Sequence, residues 1–379
     1  MRISWRTALG GVATVALASA LAGAAPAVAA GPAAPRTWGS NSFGELGDGT
    51  TGNHFTVAPI VGLSDAVSIA GGREHTLALR PDGTVWSWGS NQYGQACNGS
   101  ATNRLTPGPV AGLSGVIQIA GQHYGSLALL SDGTIRACGQ NNQGQLGDGT
   151  KVKRTTPVAV KNLTGVVEIA GGRGHGLARK SDGTIWAWGY NAFGELGDGT
   201  LTMRLTPVRV LGLSSVVMLA GGRDHSLALK SDGTVWGWGD NTYGQVGDGT
   251  LTNRTTPVRV GTLTNIVAIA AGAHHSYALA SDGTVWAWGG NGLGQLGDGT
   301  KTRRTLPVKV KNLSGVASIA AGRDHGIAVL TDGTVRTWGN NAYGQLGDGT
   351  TTLRTLPVSV PGVSGAMIAT AGRSYTAIL

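Results

Sequence analysis

Hydrophobic residues along this chain come in short bursts separated by turn residues, and the whole pattern repeats every 50 positions. The stretch 213–262 shows the grammar. Val216-Val217-Met218-Leu219-Ala220 is an apolar run that ends on Gly221-Gly222. His225 to Leu229 alternates small and large residues. Val235-Trp236-Gly237-Trp238 then sets two tryptophans on one face of a strand. Between these runs, Ser231-Asp232-Gly233-Thr234 carries an Asp-Gly pair, which tolerates the positive φ of a two-residue hairpin. A Gly-rich loop from Gly239 to Thr250 follows. Pro257-Val258-Arg259-Val260 reads as a last extended segment, whose Pro suits an outer edge strand. Each unit therefore predicts four short antiparallel strands.

The unit recurs from Trp38 onward. Trp-Gly stands at Trp38, Trp88, Trp188, Trp238, Trp288 and Trp338, with Cys138-Gly139 in the remaining copy. Asp-Gly-Thr keeps the same phase at Asp82, Asp132, Asp182, Asp232, Asp282 and Asp332. A fixed period near 50 marks an array of supersecondary units. In such an array a residue present in every copy builds the unit, and one that breaks the pattern is the better candidate for specificity. Seven four-stranded units describe an all-β, seven-bladed β-propeller. The phase of the repeat predicts how the ring closes. The last unit stops at Leu379, equivalent to Leu79 and Leu229, just before the hairpin. The array begins at Arg36-Thr37-Trp38, just after it, so the N-terminal strand is expected to complete the last blade.

Residues 1–30 stand outside the array. Arg2 and Arg6, an apolar run from Ala8 to Ala22, and the small residues Ala27-Val28-Ala29-Ala30 have the form of a secretory signal peptide cleaved near Ala29 or Ala30. The expectation is an extracellular, monomeric protein with a single propeller domain over 31–379 and no membrane span. Formal charge is +9 at pH 7, or +7 without the two leader arginines. For this length that is too modest to point to a nucleic-acid partner.

The runs Ala-Gly-Gly-Arg-Asp-His-Ser-Leu-Ala-Leu (220–229), Asp-Gly-Thr-Val-Trp (232–236), Trp-Gly-Asp-Asn (238–241) and Gly-Gln-Val-Gly-Asp-Gly-Thr (244–250) resemble the RCC1-like repeat family, named for the regulator of chromosome condensation. The resemblance covers 36–379 and implies a seven-bladed propeller. In a secreted bacterial branch of that family, the second type of β-lactamase inhibitory protein, such a ring caps an enzyme. The founder's role in nucleotide exchange does not carry over, because its interaction loops have no residue-by-residue match here. Nor does light sensing by clustered tryptophan, since Gly72, Gly172, Gly222 and Gly322 precede the Arg where that branch's motif has Trp.

Candidate chemistry is sparse. No Gly-x-Ser-x-Gly, His-Glu-x-x-His or phosphate-binding loop appears, and no cofactor or metal is expected. His75, His175, His225, His275 and His325 are equivalent, and five copies suit a structural role satisfying buried backbone groups. Arg104, Arg154, Arg204, Arg254, Arg304 and Arg354, with His54 in the remaining copy, each follow a Gly-rich loop. A local Arg–carboxylate bridge accounts for their repetition. Cys138 replaces a repeat Trp, and Cys97 a repeat Gly. The spacing leaves two readings open, a disulfide between neighbouring copies or two small buried thiols.

The turn after the paired glycines varies most. It contributes Arg73, Glu74, His123, Tyr124, Arg173, Arg223, Asp224, His274, Arg323, Asp324 and Arg373. Equivalent turns gather at one end of a ring, where varied side chains on a rigid scaffold make a binding face. The expected partner is another protein, with inhibition of a target as one form. The alternatives are an enzyme acting on an extracellular polymer through inter-blade carboxylates, or a binder of anionic envelope polymers through the loop arginines.

Overall fold

The computed structural model of the protein describes residues 34–379, so the leader assigned to 1–30 lies outside the described residues. The described chain forms seven four-stranded antiparallel sheets arranged as the blades of a β-propeller. One blade runs from an innermost strand, Val216–Gly221, through His225–Lys230 and Val235–Gly239 to an outermost strand, Arg254–Arg259. The closing blade is composite. Arg36–Gly39 pairs with Tyr375–Ile378, with Arg36 opposite Ile378 and Trp38 opposite Thr376. The strand the N-terminus has to spare is the one the last unit lacks. Among the described residues no helix is long and apolar enough to cross a membrane.

The blades stack face to face, which is why the second strands are buried on both faces. His225 to Leu229 is closed to solvent throughout. The core is divided among the joints between blades. At one joint Leu127, Ile135 and Leu146 pack against Val166, Ile169 and Trp188 of the next blade. Each of the six Trp-Gly tryptophans is 0% exposed, and its indole N–H donates across a joint, as Trp288 does to the carbonyl of Gln245 at 2.9 Å. Truncating one to Ala would cost about 3–5 kcal/mol.

The Gly facing each such Trp has no room for a side chain. Gly47 sits at φ +73°, and a Cβ there would lie 2.7 Å from Trp88 Nε1. At one joint both partners change together. Cys97 takes the Gly place, keeping the left-handed φ of 55°, and Cys138 takes the Trp place. The two are disulfide-bonded, with Cα atoms 5.6 Å apart. The exchange of Gly and Trp for two cysteines is therefore a single event in space.

The hairpin turn departs from expectation. Gly233 N donates to Lys230 O, Lys230 N donates to Thr234 O, and of the turn residues only Gly233 has positive φ, +75°. A two-residue primed turn needs more positive φ than Asp232 supplies. The loop is instead a three-residue turn closed by a left-handed Gly. Asp232 earns its place by accepting bonds from Thr234 N and Oγ1.

Candidate functional site

His225 lies opposite Gly239 in the ladder, so the variable turn at 222–224 and the Gly-rich loop after Gly239 emerge at the same end of the ring. Three concentric sets of side chains result. Innermost, around the axis, lie Arg73, His123, Arg173, Arg223, Ala273, Arg323 and Arg373, lining one cavity of about 340 Å³ whose wall is glycine and alanine. Beside them are the carboxylates. Glu74 is shared by Arg73 at 3.3 Å and Arg373 at 3.1 Å. Asp224 is shared by Arg173 at 3.5 Å and Arg223 at 3.2 Å, and Asp324 holds Arg323 at 3.2 Å.

The loops carry the third set: Phe43, Tyr93, Gln143, Phe193, Tyr243, Leu293 and Tyr343. Tyr243, Leu293 and Tyr343 are exposed large apolar groups. Inner and outer sets touch. Tyr93 packs at 4.7 Å against Tyr124 with the rings tilted by 47°, and Tyr124 lies under the Arg73 guanidinium at 4.9 Å. Tyr243 packs at 4.5 Å against His274, whose Nε2 is 3.2 Å from Arg223.

The loops are held rigidly for a reason legible in their composition. Asn241 is fully buried. Its Oδ1 accepts Val246 N, and its Nδ2 donates to Asp248 Oδ1 and to the carbonyls of Thr250 and Thr252. Gln245 Oε1 accepts Tyr243 N, which fixes the aromatic position. Asp248 then takes Arg254 at 2.6 Å, and the same pair recurs at Arg154, Arg204, Arg304 and Arg354 within 2.9 Å, with His54–Asp48 at 2.8 Å. These arginines pin their own loops, as their repetition implied. Arg104 is the exception. Asn98 stands where the others have Asp, and Arg104 donates instead to Pro109 O.

The histidines are structural but not in the expected way. His75, His175, His225 and His325 reach a hydroxyl of the next blade, Ser126, Ser226, Ser276 and Thr376, at 2.9–3.1 Å. That hydroxyl donates onward to a loop carbonyl, as Ser276 does to Gln245 O. Its proton is thus committed, so the imidazole Nε2–H is the donor. Burial holds His75 neutral, pushing its pKa down to about 4. Where a His or hydroxyl is missing, a neighbour takes over the loop carbonyl. Gly326 stands where the other blades have the hydroxyl, and the Tyr277 hydroxyl bonds the Gln295 carbonyl instead, leaving His275 Nε2 without a partner. Gly125 replaces a His, and Gln122, standing where other blades have Gly, bonds Gln145 O and His175 O.

All eleven candidate residues thus fall on one end, but they are not the exposed groups expected of free turns. Asp224 is 5% exposed and the rest are half-buried. Burial, then Asp240, raises the pKa of Asp224 against the pull of Arg173 and Arg223. Burial followed by the nearby arginines keeps His123 neutral. The aromatic loop set escaped notice. Its signal is the residue before the Gly of Gly-Gln or Gly-Glu, aromatic in five of seven copies. The two carboxylates of the closing joint do not stand free. Glu45 and Glu74 line a cavity of about 90 Å³ at the closing joint, yet Glu45 accepts from Ser40 and Phe43, and Glu74 is held by two arginines. Among the described residues no three metal-ligating side chains converge.

A family model described as RCC1-like domain matches residues 117–379, and RCC1 repeat models match 37–79, 82–129 and 66–95. The chain belongs to the RCC1-like family. A sequence search among curated proteins finds no match. Prp20p from Saccharomyces cerevisiae, described with its binding to Gsp1p and histones, is 28% identical with a TM-score of 0.82, over 92% of this chain and 91% of that one. Yeast RCC1 (Prp20) bound to Kap60 is 25% identical, TM-score 0.81, over 96% and 95%. Human WBSCR16, at 23% identity and TM-score 0.83 over 91% and 98%, shares the fold. These RCC1-like rings carry the same seven-bladed architecture.

Proposed function

We propose that this RCC1-like ring is an extracellular protein-binding module whose arginine–aromatic end docks on another protein. The observation that carries the reading is the composition of that end. Tyrosine and arginine are the residue types that most often anchor interfaces, and here Tyr93, Tyr124 and Arg73, and again Tyr243, His274 and Arg223, form contiguous clusters on rigid loops. The pre-ordered loops lower the ordering cost of association. Prp20p, similar along most of its length, is described as binding Gsp1p and histones, which supports a protein partner. Export rests on the leader-like residues 1–30. A ring end that covers a partner's working surface would act as an inhibitor, the capping form of the same reading.

The test is photo-crosslinking in native culture medium, with a crosslinking residue placed at Tyr243, at Tyr343, or at Asp232 on the opposite end. A partner trapped from Tyr243 and Tyr343 but not from Asp232 is expected. Tyr124→Ala with Arg223→Ala should then weaken that partner about thirtyfold. Trapping from Asp232 alone would move the function to the other end.

A further inference from the structure

We infer that the axial cavity at this end is a binding site for a compact, multiply charged oxyanion of the phosphate or diphosphate kind. Five arginines line the one cavity, Arg73, Arg173, Arg223, Arg323 and Arg373. The carboxylates of the same turns number three, Glu74, Asp224 and Asp324, and two of them are already divided between a pair of arginines. The turns alone leave two positive charges over, the charge of Asp240 beside Asp224 and His274 offsets one of them, and His123, held neutral, adds none. The cations share one space. After burial, the charge of Glu74 and then, opposing it, those of Arg373, Arg323 and Arg173 bear on Arg73.

The fold does not require this arrangement. Ala273 occupies the same turn position and donates its N–H to Arg323 O, much as Arg373 donates to Arg73 O. Five like charges around a narrow axis are a standing cost that an anion on the axis would relieve. Arg73 Nε and Arg223 Nε lie beside carboxylates at 3.3 and 3.2 Å without hydrogen-bond geometry, so charge alone holds those pairs. Arginine forks match phosphate oxygens in bidentate fashion, whereas a lysine offers only a point charge. A cavity of about 340 Å³ takes a multi-atom anion, since one water fills about 30 Å³ of liquid. The inference stands apart from protein docking, because the outer aromatic loops play no part in it.

The experiment is calorimetric titration of the whole protein with inorganic pyrophosphate at low ionic strength, with acetate and sulfate as comparison anions. One saturable site per chain is expected, tightest for pyrophosphate and weakest for acetate. Arg73→Gln and Arg323→Gln should each lower the affinity tenfold or more, and Arg204→Gln, in the loop ring, should leave it unchanged. Pyrophosphate should also raise the melting temperature of the native protein and of Arg204→Gln, but not of the double variant R73Q/R323Q. That second readout separates lost binding from lost folding. No saturable binding, or an equal loss from Arg204→Gln, overturns the site. Equal affinity for acetate overturns the assignment to a multiply charged oxyanion.

Discussion

Two sets of arginines ride on this ring, and they live under opposite conditions. The loop set, Arg154, Arg204, Arg254, Arg304 and Arg354, has one carboxylate apiece at 2.6–2.9 Å, and each Asp is also gripped by Thr and Asn. The axial set shares the three turn carboxylates among five arginines that line one cavity. The first arrangement is satisfied and repeats in nearly every copy. The second is unsatisfied and is replaced by His123 and Ala273 in two copies. Repetition with complete pairing marks residues that hold the unit together, whereas convergence with incomplete pairing marks residues free to meet a ligand. Three changes would break or sharpen that contrast.

The largest effect should come from the carboxyl beneath the axial set. Glu195 stands where five other copies have Gln, fully buried, with Oε1 unpartnered. Burial first, then Asp224 and Asp240, pushes its pKa up to about 7. A raised carboxyl pKa favours the neutral folded form. Its contribution is full below the ordinary value of 4.5 and is lost as pH rises through 7. Glu195→Gln mimics the neutral group permanently. The variant should match the native protein at pH 4 and exceed it by about 3 kcal/mol at pH 8 and above. Melting temperatures across that range decide it. A flat difference with pH would mean the axial end carries no such electrostatic load.

A smaller effect of the opposite sign belongs to the loop ring. Asp248→Ala removes the acceptor for Arg254, Asn241 and Thr250 together, and should cost about 2 kcal/mol at pH 7. Burial opposes ionisation of Asp248, but the bonds from Thr250 and Arg254 outweigh it and hold its pKa below 3.8. A depressed carboxyl stabilises above its unfolded value and stops doing so as pH falls through the folded one. The deficit of Asp248→Ala should therefore fade below about pH 4, where the Glu195→Gln difference has also vanished. A deficit that does not shrink at all as pH is lowered below 3.8 would show that packing, and not the charged pair, holds the loop.

The repeat period, the four strands per unit and the closing strand were all legible in the chain, because each rests on local periodicity or on phase. The loop arginine bridges were legible too, since a cation and a carboxylate six residues apart, as in Asp148 and Arg154, need no distant information. Three features were not. The hairpin type depended on the φ of one residue, Gly233, and not on the Asp-Gly pair. The histidine partners lie 51 residues away, on the next blade, so the hydroxyls could not be matched before the blades were stacked. The aromatic loop set was hidden because Gly44-type glycines mark the turn itself, while the residue before each of them varies and is exposed only at Tyr243, Leu293 and Tyr343. The cysteine pair was half legible. Their separation of 41 is also that of Gly47 and Trp88, so the coupled exchange could have been recognised from the repeat itself.

The smallest stability effect, and the sharpest test of the contrast, is Arg173→Ala. Its guanidinium shares Asp224 with Arg223, so removal leaves that buried carboxylate still paired. Its backbone N–H bonds, to Gly222 O and Arg223 O at 3.2 Å, survive truncation. Ala273 shows that the turn accepts this residue. Relief of like-charge repulsion on the axis also offsets part of the lost pair. The change in stability should therefore stay under about 1 kcal/mol, well below the cost of Asp248→Ala. Pyrophosphate affinity should nevertheless fall about tenfold, since one arginine of the cavity is gone. Should Arg173→Ala instead destabilise the ring as much as Asp248→Ala and leave anion binding untouched, the axial arginines would be structural like those of the loops, and the two sets would differ only in position.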